Sequence, residues 1–107
     1  MQGKERAGLE RAAGVLGLAL GRFTPELLAR IGRLAVEQDT LFQSFELSAD
    51  AGQVALLREV LSSATAANVI RDREIILSGG ERGDLHDLTP AGWFAAATAR
   101  IDLMKQV

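Results

Sequence analysis

The residues with most chemistry to offer are polar side chains that fall on apolar stripes. Between Ala66 and Leu77 an apolar stripe at helical spacing runs through Ala66, Val69, Ile70, Ile76 and Leu77. At ~100° per residue, Arg73 lands inside that stripe, whereas Arg71 points almost the opposite way. A guanidinium turned into a core must meet a carboxylate, carbonyl groups or a bound anion. Glu5 is the internal candidate, on the face of the first segment that carries Leu9, Leu16 and Leu20. Gln38 sits between Leu34 and Leu41 on another stripe, where an unpaired amide would cost roughly 1–3 kcal/mol. Arg11 belongs to a second face of the first segment, made of Gly8, Arg11, Gly14, Val15 and Leu18. Glycine within a helix costs up to ~1 kcal/mol relative to alanine, so Gly8, Gly14 and Gly17 call for close approach of another backbone. We expect a second subunit there, with Arg11 in the contact. The chemistry on offer is internal ion pairing or recognition of a small anion.

Other chemistries find little support. Cysteine is absent, which removes thiol nucleophiles, thiolate zinc sites and disulfides. Ser78-Gly79-Gly80-Glu81-Arg82-Gly83 is glycine-rich but lacks the lysine and the strand-loop-helix setting of a nucleotide-binding loop. Glu81, Asp84, His86 and Asp87 include the chain's one histidine; a lone histidine among loop acids reads as solvated rather than metal-bound. No nucleophile–base arrangement or paired-carboxylate spacing stands out, so an enzyme is not expected. No cofactor is expected either. Net charge is −2 and the basic residues are interspersed with acids, which argues against nucleic acid as a partner. No run approaches the ~18 apolar residues of a membrane span, and the N-terminus lacks a signal-peptide pattern.

Helices must position these groups. The chain's two prolines both follow threonine: Thr24-Pro25 and Thr89-Pro90 each read as an N-cap with proline at the first helical position. Gly21 and Gly79-Gly80 are the matching stops. Five helical segments result. The first runs to about Leu20 and the second from Pro25 to Leu47. The third follows Ser48, read as its N-cap, to Leu61, and the fourth runs to about Leu77. A loop from Ser78 to Leu88 precedes the fifth, from Pro90 onward. The second segment carries Leu27, Ile31, Leu34, Leu41 and Phe45 at helical spacing; the fifth carries Trp93, Ala97, Ile101 and Met104. Such stripes joined by short loops predict an all-α, antiparallel up-and-down four-helix bundle, the third and fourth segments stacked end to end as one column. Residues 1–107 read as one domain. Because Met1 leads straight into helical sequence and Leu103–Val107 lacks a cap, we expect a piece excised from a longer receptor.

The motif Glu10-Arg11-Ala12-Ala13-Gly14, followed by small residues and closed by Gly21-Arg22-Phe23, resembles the opening helix of the nitrate- and nitrite-sensing domain of bacterial receptors, sensor kinases and antiterminators. Gln38-Asp39 leading into Leu41-Phe42 and Phe45, and Trp93-Phe94, Thr98 and Ile101-Asp102, fit the same family. The resemblance covers most of the chain through degenerate helical motifs. It departs at one point: the family's Glu-Arg-Gly is Glu-Arg-Ala here, with Lys4-Glu5-Arg6-Ala7-Gly8 just upstream. Either Arg6 or Arg11 is thus the counterpart of the family's arginine, and spacing to Gly21 favours Arg11.

What the resemblance implies is an input domain of a signal-transduction receptor of the methyl-accepting chemotaxis type. Its ligand would be a small anion such as nitrate or nitrite, held by Arg11, Arg73, Arg6 and Gln38, with Thr98 as a further polar group. It also implies a homodimer through the first helix and flanking transmembrane helices in the parent protein. The domain would then be periplasmic, on an inner-membrane receptor, or cytoplasmic if the parent is a soluble regulator. The competing expectation is a ligand-free dimerisation or scaffold module in which Arg73 is merely paired.

Overall fold

The computed structural model describes residues 1–107. Its helices are α1 (Gly3–Leu20), α2 (Pro25–Ser48), α3 (Ala51–Leu61), α4 (Ala64–Gly79) and α5 (Pro90–Met104), with a single 3-10 turn at Gly80–Arg82 between α4 and α5. The caps expected at the prolines are made. Thr24 Oγ1 accepts from the Leu27 amide at 3.1 Å, and Thr89 Oγ1 from the Gly92 amide at 2.9 Å. Each satisfies a first-turn N–H that has no partner within its own helix. Gly21 ends α1 in the left-handed conformation, φ 79°.

Two boundaries differ from expectation. The third helix is capped by Asp50, not Ser48: Asp50 and Gln53 form a reciprocal capping box, and α2 runs on through Ser48. A carboxylate with glutamine three residues later answers two orphan donors at once, which a lone serine does not. At the Gly79-Gly80 stop, Gly80 stays in the right-handed region; the left-handed residue is Gly83, φ 76°.

Short links make the helices antiparallel neighbours, and two apolar clusters show the order. One end of the bundle gathers Ala7, Phe42, Leu57, Val60, Ile101 and Met104. These come from the start of α1, the later half of α2, α3, and the end of α5. The other gathers Ala13, Leu18, Phe23, Ile31, Val69, Ile76, Leu85, Trp93 and Ala97. The chain therefore runs up, down, up and down, with α3 and α4 dividing the third column between them. The whole is 43 × 22 × 18 Å. Phe23, in the α1–α2 link, is fully buried, and its amide donates to the Gly80 carbonyl at 2.8 Å, fastening the two loops at that end.

The first helix presents a different face from the one expected. Its buried residues are Gly3, Ala7, Glu10, Ala13, Gly14, Gly17 and Leu18, while Leu9, Leu16 and Leu20 are exposed. Bulk explains it. A Cβ on Gly14 would lie 2.5 Å from Cε2 of Trp93, and one on Gly17 would collide with the ring of Phe23. The small face of α1 is where the chain's own aromatic rings fit. Gly14 and Leu18 are thus covered within the chain rather than by a second subunit, and only Gly8 of the three glycines faces open space. On α2 the deeply buried positions are Ile31, Leu34, Gln38 and Phe42; Leu41 and Phe45 are half-buried. On α4, Ile70 and Leu77 are exposed. The α5 stripe of Trp93, Ala97, Ile101 and Met104 is buried as expected.

Candidate functional site

A polar layer interrupts the apolar interior. Glu10 lies between Ala7 and Ala13, each of which belongs to a different apolar cluster, and Arg100 stands in the same way between Ala97 and Ile101. Glu10, Gln38, Arg73 and Arg100 each come from a different column: α1, α2, α4 and α5. The Glu10 carboxylate, 1% exposed, is the hub. Arg73 grips it with two donors, Nε to Oε2 and Nη2 to Oε1, the latter at 2.9 Å. Gln38 Nε2 donates to Oε1 at 2.9 Å and to the Leu34 carbonyl at 3.1 Å. Arg100 Nη2 donates to Gln38 Oε1 at 2.6 Å and lies 3.5 Å from Glu10 Oε1.

Counting formal charges, two guanidiniums face one carboxylate. The two arginines respond oppositely. For Arg73, burial is the largest effect and lowers the pKa, but the Glu10 hydrogen bond and charge, helped by Asp39, outweigh it and the net direction is upward. For Arg100, burial again leads and here prevails over the Glu10 charge, with Arg73 repelling it further; its pKa falls. Arg100 Nε is buried with no hydrogen-bond partner. The carboxylate is committed to Arg73 first, and Arg100 is the surplus cation.

Gln38 and Arg73 are therefore brought together, as their positions on apolar stripes imply, but with Glu10 rather than Glu5. The Glu5 side chain is 83% exposed and lies 4.0 Å from Arg6. Arg6 also pairs with Glu37 at 3.4 Å and takes no part in the layer. Arg71 is exposed and pairs with Asp72. Arg100 and Glu10 escaped the sequence reading. The signal for Arg100 was present, since Trp93, Ala97, Arg100 and Met104 recur at helical spacing.

Arg11 stands apart, in the seam between α1 and α5. Its Nη1 donates to Thr98 Oγ1 at 3.0 Å, and its Cζ lies over the Phe94 ring, 4.8 Å from the centroid. The Trp93 indole N–H donates to its backbone carbonyl at 2.9 Å. Three residues of α5 thus hold Arg11, all through uncharged groups. It forms no salt bridge, and its Nε and Nη2 have no acceptor in the protein. The side chain is half-buried.

The rest of the surface offers less. A hollow of about 750 Å³ between α4, the following loop and the start of α5 is lined by Arg71, Asp72, His86 and Asp87 among others. Its one arginine is already paired, so it does not favour an anion. No three His, Asp or Glu side chains are placed to share a metal ion, and no helix is long and apolar enough to cross a membrane.

The chain is thus an all-helical bundle with an arginine free of acidic partners beside a buried ionic layer. The family described as nitrate and nitrite sensing matches residues 1–107, and the chain belongs to it. The chain is 34% identical to the nitrate regulatory protein of Klebsiella oxytoca over 111 residues, covering 100% of this chain and 26% of that protein. It thus spans about a quarter of that relative's length. No solved structure matches it significantly.

Proposed function

We propose that this domain recognises nitrate or nitrite at Arg11 and acts as the input unit of a larger signal-transduction protein. The observation that carries this reading is the contrast among the buried and half-buried arginines. Arg73 and Arg100 are tied to Glu10 and Gln38 inside the bundle, where Arg100 keeps only a closed-in Nε unpartnered, whereas Arg11 is held by uncharged groups in a half-exposed seam with its Nε–Nη2 edge unused. A guanidinium edge presents two parallel N–H donors that match two oxygens of a planar anion. Each charge-assisted hydrogen bond contributes about 1.5–3 kcal/mol net. The ionic layer one residue away fixes the rotation of α1, and so where Arg11 projects. Signalling follows if the anion binds one arrangement of α1 against α5 better than another, since only differential affinity shifts an equilibrium. The family and the nitrate regulatory relative support the choice of ligand. The parent would be a chemoreceptor of the methyl-accepting type or a regulator.

The test is thermal denaturation with and without millimolar sodium nitrate or nitrite, using chloride at equal ionic strength as the reference. The native chain is expected to melt higher with nitrate, and Arg11→Ala to melt alike in both salts. A nitrate shift retained in Arg11→Ala removes Arg11 from the site. A ligand-free scaffold is the second reading, favoured by the internal Arg73–Glu10 pair and by the exposed Leu9, Leu16 and Leu20 stripe; absence of any anion-dependent shift in the native chain would select it.

A further inference from the structure

We infer that Phe94 and Thr98 make the Arg11 site selective for flat oxyanions over tetrahedral ones; this rests on the reading of Arg11 as the anion-binding residue. Thr98 accepts one N–H of Nη1, and the Nε–Nη2 edge, which has no acceptor in the protein, offers a ligand two parallel donors. Arg11 Cζ lies over the Phe94 ring, 4.8 Å from its centroid, so the ring fills the space on that side of Arg11 and a ligand approaches from elsewhere. A trigonal anion bound to the edge keeps all its oxygens close to the guanidinium plane. A tetrahedral anion using the same two donors must project one oxygen above the plane and one below it. On the Phe94 side that oxygen is brought nearer the phenyl ring, whose π face is negative and repels it. Half of the Phe94 surface remains exposed, although the bundle has an apolar interior into which such a ring could pack. Its place beside the one half-buried arginine held solely by uncharged partners gives that exposure a use.

Trp93 acts on the same residue from behind. Its indole N–H fixes the Arg11 carbonyl, and only glycine at position 14 leaves room for the ring. Trp93 is the chain's single tryptophan, so intrinsic fluorescence reports on the backbone at Arg11 without any label.

The experiment is titration of the native chain, Phe94→Leu, Thr98→Val and Thr98→Ser with sodium nitrate, formate, sulfate and phosphate at matched ionic strength. Calorimetry and Trp93 emission are both read. The native chain is expected to bind nitrate and formate at least about tenfold more tightly than sulfate or phosphate, a preference that comes from the phenyl ring and not from the fork, which also accepts phosphate. Phe94→Leu should reduce that preference to about threefold or less by removing the π face. Thr98→Val should weaken nitrate several-fold by loosening the guanidinium, and Thr98→Ser should restore it. A purely structural role for Phe94 would change affinity for all anions in proportion and leave the ratio intact. The inference is overturned if the native chain takes sulfate as tightly as nitrate, or if the ratio survives Phe94→Leu. Absence of binding by every anion to the native chain would instead overturn the proposed function itself.

Discussion

Glu10 answers two buried guanidiniums, and the geometry ranks their claims. Arg73 makes a two-donor grip on the carboxylate, whereas Arg100 reaches it at 3.5 Å and keeps Nε unpartnered. Removing one member of a buried pair costs about 3–5 kcal/mol when the other charge is left alone. Arg73→Met is therefore expected to lower the urea-denaturation stability by up to about that amount, with Arg100 and Gln38 left as the weaker partners of Glu10. Arg100→Met should cost clearly less, because Glu10 keeps its main partner and a surplus cation is gone. Equal losses in the two variants would contradict the ranking. The glycines of α1 supply a second contrast. Gly14→Ala pushes a methyl against the Trp93 indole and should destabilise by roughly 1–3 kcal/mol. Gly8→Ala meets open space and should stabilise by up to about 1 kcal/mol through helix propensity alone. Thermal melts of the two would show opposite shifts.

These residues also mark how far the sequence could be read. Gln38 and Arg73 were legible because a polar group on an apolar stripe breaks a period. Glu10 was not, because the stripe it breaks is built of alanine and glycine. Hydropathy registers Leu9, Leu16 and Leu20 as the inward face, but the bulk that fills the space belongs to Trp93 and Phe23 on other elements.

At the scale of the helix, cap and stop residues fixed the elements well. Thr24, Thr89, Ser63 and Asp50 each accept a first-turn amide. Thr89→Ala is expected to cost about 1 kcal/mol, read as an earlier urea midpoint, and it acts at the start of the helix that carries Trp93, Phe94 and Thr98. Ser48 misled because it is a good cap type at the end of a predicted helix, yet Asp50 with Gln53 offers the reciprocal pair. The pairing of α1 with α5 is the relation that matters for the site. Arg11 meets Thr98, Phe94 and Trp93 from across that seam, a contact separated by more than eighty residues that no local pattern could announce.

Across the whole molecule, two apolar clusters flank one ionic layer drawing a side chain from every column. Sliding or rotating any column breaks hydrogen bonds in that layer, so the bundle has one preferred register from which a ligand can bias it. A single anion site at about one hundredfold excess over its Kd adds about 2.7 kcal/mol of stability. In a domain of this size that corresponds to a shift of roughly 10 °C in Tm. The most direct measurement is isothermal calorimetry of nitrate against the native chain and Arg11→Ala, with Arg73→Met as the third partner. Saturable heat is expected from the native chain, none from Arg11→Ala, and binding retained by whatever fraction of Arg73→Met stays folded. Nitrate heat that persists without Arg11, or that vanishes from folded Arg73→Met alone, would move the site into the ionic layer and contradict the assignment to Arg11.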